Sequence, residues 1–164
     1  MIDFTFNIGI GTDTYPHNFI EEMRSAAYFA RVVAGSVDDL TTRDVFDAAT
    51  VGGARALGRG DLGRLAPGCR ADVVLVDVAA PSMMPLREPL RSLVYVAAER
   101  AVRDVYVDGR RVVADGRVLT MDYAVASRAL GEAQRRSLAR TPGLDWAGRS
   151  ADEMAPMALP PYRR

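Results

Sequence analysis

Histidine and cysteine are nearly missing from this sequence of 164 residues, since His17 is the only histidine and Cys69 the only cysteine. A single cysteine excludes an intramolecular disulfide and fits a reducing, cytoplasmic location. Hydrolytic zinc sites usually take about three protein ligands, most of them histidines. We therefore expect one copy of this chain to lack a complete catalytic metal site, and we expect the chain alone to hold no metal.

An excess of one charge and a long hydrophobic run are also absent. The sequence has 21 basic and 21 acidic residues, so no basic surplus predicts a nucleic-acid partner. The apolar run Val73–Val76 is far shorter than the roughly 20 residues that span a bilayer. Met1–Phe6 has no basic segment before an apolar core, so it does not look like a secretory signal. The composition predicts a soluble globular protein with neither a membrane nor a nucleic acid as partner.

The first third of the chain predicts one strand and two helices. The strand Phe4–Ile10 is β-branched and aromatic, and it ends at the polar cluster Gly11-Thr12-Asp13. Apolar residues at helical spacing then predict helices over Asn18–Gly35 and Thr42–Leu57. The pair Gly52-Gly53 weakens the second helix by about 1 kcal/mol per glycine, so we expect it only where another backbone packs closely.

The middle of the chain predicts a small β unit. Ala71–Val76, Val102–Val107 and Arg111–Ala114 are short apolar strands that we expect in one sheet. Asp108-Gly109 joins the last two and is a strong signal for a type I′ hairpin turn. Between the first two strands, Pro81–Pro89 predicts a loop bounded by prolines.

The C-terminal part predicts one helix over Asp122–Arg140, followed by a proline-rich tail that we expect to be extended. Together these elements predict three parts: residues 1–58, the end of an α/β barrel; residues 59–121, part of a small β-sandwich; and residues 122–164, a helix with its tail. The fold class is thus α/β, with the last strand and helices of a (β/α)8 barrel. A complete barrel needs about 250 residues and eight strands, so most of it would be missing here.

Five stretches, in this order, carry a resemblance to a known family. They are Ile8–Asn18, Glu21–Arg24, Ala48–Gly58, Leu62–Asp77 and Val105–Arg110. Their order and spacing resemble the amidohydrolase superfamily, in particular its cytosine-deaminase and triazine-hydrolase branch. The resemblance covers roughly residues 7–125.

The resemblance implies a role for two residues. Asp13 looks like the catalytic aspartate at the end of the eighth barrel strand, which binds the metal, zinc or iron, and accepts a proton from the attacking water. A plain turn is the alternative, because glycine and aspartate both favour turns. His17 lies four residues later, and the resemblance places it near the substrate. Its alternative role is that of a surface residue at a helix start.

The resemblance also implies a reaction and a partner. We expect a fragment or split subunit of a metal-dependent hydrolase of non-peptide carbon–nitrogen bonds, such as a deaminase of a nitrogen heterocycle, inactive alone. The alternative is a non-catalytic remnant that keeps the β unit for assembly. Phe19, Met23, Phe29 and Val33 would have faced the absent barrel. Exposed apolar faces and strand edges favour association, so we expect a homo-oligomer or a complex with a missing N-terminal half.

Overall fold

Helix α1 spans Phe19–Ala34 in a computed structural model that describes residues 8–13, 17–97 and 99–159. The Asn18 side chain caps it by accepting a hydrogen bond from the Glu21 amide. Gly35 ends it in the left-handed conformation, with φ 63°. The predicted helix Asn18–Gly35 is therefore confirmed within one residue at each end.

The second predicted helix is one continuous helical run with an irregular turn in its middle. Helix α2 covers Thr42–Asp47, a π-helix covers Ala48–Gly52, and helix α3 covers Gly53–Ala56. Thr41 and Asp44 form a capping box at the start of α2, because the side chain of each accepts a hydrogen bond from the backbone amide of the other. A π-helix of this length is rare and occurs often at functional sites.

A four-stranded antiparallel sheet follows, in the order β1-β2-β3-β4. Its strands are Val73–Val76, Val102–Val107, Arg110–Ala114 and Arg117–Val118. Asp108 and Gly109 both have positive φ, 49° and 78°, as a type I′ turn requires. The predicted sheet and its hairpin are confirmed.

Helix α4, Pro89–Tyr95, is an element that the sequence analysis did not predict. The Glu88 side chain caps it by accepting hydrogen bonds from the Leu90 and Arg91 amides. A single 3-10 turn, Pro81–Met83, also lies within the predicted loop. Seven residues make only two helical turns, too few to show a clear period.

The hydrophobic core joins α1, α2 and α4. Met83, Val45 and Val94 are its largest fully buried side chains, and burying each one contributes roughly 1.5–3 kcal/mol. The Arg24 side chain of α1 donates hydrogen bonds to the carbonyl oxygens of Val94 and Ala97, and so joins α1 to the end of α4.

The observed N-terminal part differs from the predicted one in two respects. Residues 4–7 of the predicted strand lie outside the described residues, and Ile8–Ile10 are not in a strand. Met23, predicted to face a barrel, is buried in the core instead, with 5% of its surface exposed. Phe19, Phe29 and Val33 are exposed.

The chain divides into two compact units, Met1–Thr120 and Met121–Arg164. The second unit contains α5, Tyr123–Leu144, and α6, Ala151–Met154. Asp122 caps α5, which ends at Leu144, four residues beyond the predicted Arg140, and the short helix α6 replaces part of the expected extended tail. The predicted division at residues 58 and 121 remains a prediction. No described helix has the length and hydrophobicity needed to cross a membrane.

Candidate functional site

Asp13 ends the described segment Ile8–Asp13. It is exposed, and its backbone is left-handed, with φ 50°. Aspartate and asparagine tolerate this conformation better than most residues with a side chain. The Ile10 amide donates a hydrogen bond to the Ala48 carbonyl oxygen, at 3.3 Å. The segment that carries Asp13 is therefore tied to the π-helix.

Glycines make this close approach possible. A Cβ atom at Gly52 would overlap the carbonyl oxygen of Ile8, and one at Gly9 would lie 2.9 Å from the Cα of Gly53. The two backbones touch at this point with no side chain between them. The prediction that Gly52-Gly53 marks close packing of another backbone is confirmed.

A second glycine contact lies at the same π-helix. Gly63 has φ 80°, and a Cβ there would lie 2.7 Å from the carbonyl oxygen of Thr50. The Thr50 hydroxyl donates a hydrogen bond to the Phe46 carbonyl oxygen, at 2.7 Å. Backbone segments distant in sequence therefore contact this turn at two places.

His17 is exposed and lies directly before the cap of α1. Residues 14–16, between Asp13 and His17, are outside the described residues. Within the described part, no hydrogen bond or ion pair joins Asp13 to His17. The roles of both residues stay predictions.

A metal would need more ligands than the described part of the chain brings together. Among residues 8–13, 17–97 and 99–159, no three His, Cys, Asp or Glu side chains are grouped in a way that could hold an ion. Cys69 lies in a turn in which its amide donates to the Ala66 carbonyl oxygen, at 3.1 Å. Asp13 is thus a possible ligand that belongs to no group of three ligands among those residues.

Asp104 is a buried charged residue that the sequence analysis missed. It has 4% of its surface exposed and accepts hydrogen bonds from the side chains of Arg103 and Arg111 and from the Asp115 amide. The hydrogen bond from Arg111 is the main cause that lowers the pKa of Asp104 to about 2. An aspartate inside the apolar strand Val102–Val107 was the available signal, since strands seldom contain aspartate. The cluster ties β2 to β3.

An apolar groove of about 260 Å³ lies elsewhere in the first unit. Its walls are formed by α2, α4, the end of β1 and the Pro81–Met83 turn, through Phe46, Val76, Val78, Met83, Pro89, Leu90 and Leu93. None of these side chains can act as a general base, so the groove has no side chain that could activate water.

Known proteins resemble this chain over most of its length. A 5-methylthioadenosine/S-adenosylhomocysteine deaminase of Pelotomaculum thermopropionicum is 37% identical over 135 residues, which are 80% of this chain and 30% of that protein. The structure of a zinc-bound adenosine deaminase from Xanthomonas campestris matches with a TM-score of 0.77 and 35% identity, over 79% of this chain and 31% of that one.

A more distant structure shares the fold. A zinc-bound atrazine chlorohydrolase from Arthrobacter aurescens matches with a TM-score of 0.61 at 24% identity, over 71% of this chain and 25% of that one. This chain thus spans about a third or less of the length of the relatives it matches. The family model described as "Amidohydrolase family" matches residues 1–112. Because that match covers more than half of the sequence, together with the deaminase relatives it shows that the chain belongs to the amidohydrolase family.

Proposed function

We propose that this chain is the C-terminal part of a metal-dependent deaminase. In this proposal residues 1–58 supply the end of a (β/α)8 barrel and residues 59–121 part of a β-sandwich. The deaminase relatives, and the share of them that the chain covers, support the proposal. The observation that carries it is local: Asp13 ends a segment whose first three residues are held against a π-helix by backbone contacts.

The proposed reaction is hydrolysis of a carbon–nitrogen bond. Relatives named for deaminating adenosine and methylthioadenosine point to an aminopurine nucleoside as substrate. Water adds to the carbon that bears the amino group, and ammonia leaves, so that a carbonyl replaces the amine. Asp13 would accept the proton of the attacking water, because a carboxylate within hydrogen-bond reach can act as a general base. His17 would contact the substrate.

A zinc or iron ion supplies Lewis-acid chemistry in such a reaction. The described residues do not fit a complete site for this ion, because Asp13 belongs to no group of three possible ligands among them. The remaining ligands would have to come from other residues of the complete enzyme. Asp13 is the ligand that this chain would contribute.

A second polypeptide region would also cover exposed apolar surface. On α1, Phe29, Val32 and Val33 have 70%, 77% and 88% of their surface exposed. Burial of such side chains favours association by roughly 1.5–3 kcal/mol each. We propose that the missing N-terminal part packs on this face; a second copy of the chain is the competing partner.

One assembly experiment tests the proposal. This chain would be produced together with the part of the Xanthomonas campestris adenosine deaminase that it does not match. We expect a complex that holds zinc and releases ammonia from adenosine, whereas each part alone does neither. Zinc content and ammonia are measured directly, and light scattering gives the stoichiometry of the complex.

Two variants make the test specific. Asp13→Asn removes the charge but keeps a side chain that tolerates the left-handed conformation, so activity should fall about 100- to 10,000-fold. Asp115→Asn is the matched control, because Asp115 has nearly the same φ, 48°, in a β turn. Full activity of the Asp13→Asn complex would refute the catalytic role. A zinc-free, inactive complex would favour the non-catalytic assembly module.

A further inference from the structure

Gly52 has an ordinary helical backbone. Its φ and ψ are −64° and −49°, and those of its neighbour Gly53 are −58° and −44°. Any residue adopts these values, so neither position requires glycine for its conformation. The reason for glycine at position 52 must therefore lie in the surrounding space.

The two neighbouring glycines differ in that space. A Cβ at Gly52 would overlap the Ile8 carbonyl oxygen and lie 3.1 Å from the Asp47 carbonyl oxygen. A Cβ at Gly53 would meet only the Ala48 carbonyl oxygen, at 3.8 Å, which is ordinary van der Waals contact. Any side chain at position 52 therefore has to push the segment Ile8–Asp13 away from the π-helix.

From this contact we infer that Gly52 is a positioning residue for Asp13. The inference rests on the proposed function and deepens it, because it explains how the chain sets the place of the catalytic carboxylate. Within the described residues, the backbone of Ile8–Ile10 is held by its contact with the π-helix. A shift of about 1 Å at a catalytic group can reduce the rate about 100-fold.

The first test uses the chain alone and needs no activity. In Gly52→Ala, hydrogen exchange of the Ile10 amide should be at least about tenfold faster, because its bond to the Ala48 carbonyl oxygen is broken. In Gly53→Ala the exchange rate of the Ile10 amide should stay within about twofold of that in the original chain. Unchanged exchange of the Ile10 amide in Gly52→Ala would overturn the inference.

The second test uses the assembled deaminase. Gly52→Ala should lower kcat about tenfold or more, with KM and zinc content unchanged, and Gly53→Ala should leave all three unchanged. A purely structural role would lower the yield of folded complex without changing kcat per folded complex. Unchanged kcat for Gly52→Ala would also overturn the inference.

The two tests separate the inference from the proposed function. An inactive original complex contradicts the function, and the exchange of the Ile10 amide then decides the positioning contact. If Gly52→Ala fails to fold, Gly9→Ala takes its place, because it presses on the same contact from the other side, 2.9 Å from the Gly53 Cα. The same two outcomes are expected of that variant, and unchanged exchange and kcat would overturn the inference.

Discussion

The backbone paths of the sheet and of the segment Ile8–Asp13 are determined in different ways. In the sheet, Asp108-Gly109 and Asp115-Gly116 have positive φ and reverse the chain between strands that are adjacent in sequence. The segment Ile8–Asp13 instead lies against a π-helix about forty residues further along the chain.

This difference predicts how each region responds to substitution. A turn residue in the sheet contributes through its own conformation, so replacing it has a limited, local cost. A glycine at a contact between distant backbones contributes through the space it leaves. Replacing it must move a whole segment, because backbone atoms cannot rotate out of the way as side chains can.

The largest expected effect on stability is that of Gly63→Ala, which is compared with Gly109→Ala because both glycines have a left-handed conformation. Gly63→Ala should lower the free energy of unfolding by roughly 2–4 kcal/mol, because it adds an overlap with Thr50 to an unfavourable φ. Gly109→Ala should cost only about 1–2 kcal/mol, because its Cβ would meet just the Ala71 Cβ, at 3.9 Å. Urea unfolding of both variants gives the two values. Equal costs would remove the distinction between a glycine at a turn and a glycine at a contact between backbones.

A smaller effect on stability, which depends on pH, is expected when Asp104 in the sheet is replaced. Its pKa is lowered from 3.8 to about 2 in the folded chain, mainly by the hydrogen bond from Arg111. The carboxylate therefore stabilises the fold above the unfolded-state value, and this contribution is lost as the pH falls toward the folded value. Asp104→Asn should be less stable than the original chain near neutral pH.

The difference in stability between the two proteins should narrow below about pH 4 and close only below about pH 2, because protonated aspartate resembles asparagine. Thermal unfolding of both proteins over this range measures it. A gap that is independent of pH would mean that the charge of Asp104 does not stabilise the sheet.

The smallest effect is expected within the site segment itself. A Cβ at Gly11 would meet no atom within 4 Å, and Gly11 has no positive φ. Gly11→Ala should therefore change the free energy of unfolding by no more than about 0.5 kcal/mol. A large loss would show that the segment is held along its whole length and not only at Gly9 and Ile8.

Local signals explain which parts of the fold the sequence could predict. Asn18 and Gly35 mark the ends of α1, and Asp108-Gly109 marks the hairpin, each through the conformation or hydrogen bonding of a few neighbouring residues. Helix α4 escaped prediction because its seven residues form only two turns. The signal for it was the cap Glu88 followed directly by Pro89, which favours a first helical turn.

The site was predictable only in part, for a physical reason. Gly52-Gly53 indicated a close backbone contact, but the pattern does not say which segment makes it, because that depends on packing between distant residues. The π-helix was also not predicted, since its five residues show no distinct period. Asp13 entered through the resemblance of its surroundings to a family, because the residue alone equally fits a turn.

The contact between Ile8-Gly9 and Gly52-Gly53 has a consequence for how substitutions combine. Neither Gly9 nor Gly52 has room for a Cβ at this contact, so a change at Gly9 and a change at Gly52 act on one shared space. Once the first has separated the two backbones, the second meets less resistance. The double variant should therefore lose less stability than the sum of the losses in the two single variants. Variation at one position is tolerated more readily after variation at the other. The two positions should therefore covary, although 42 residues lie between them in the chain.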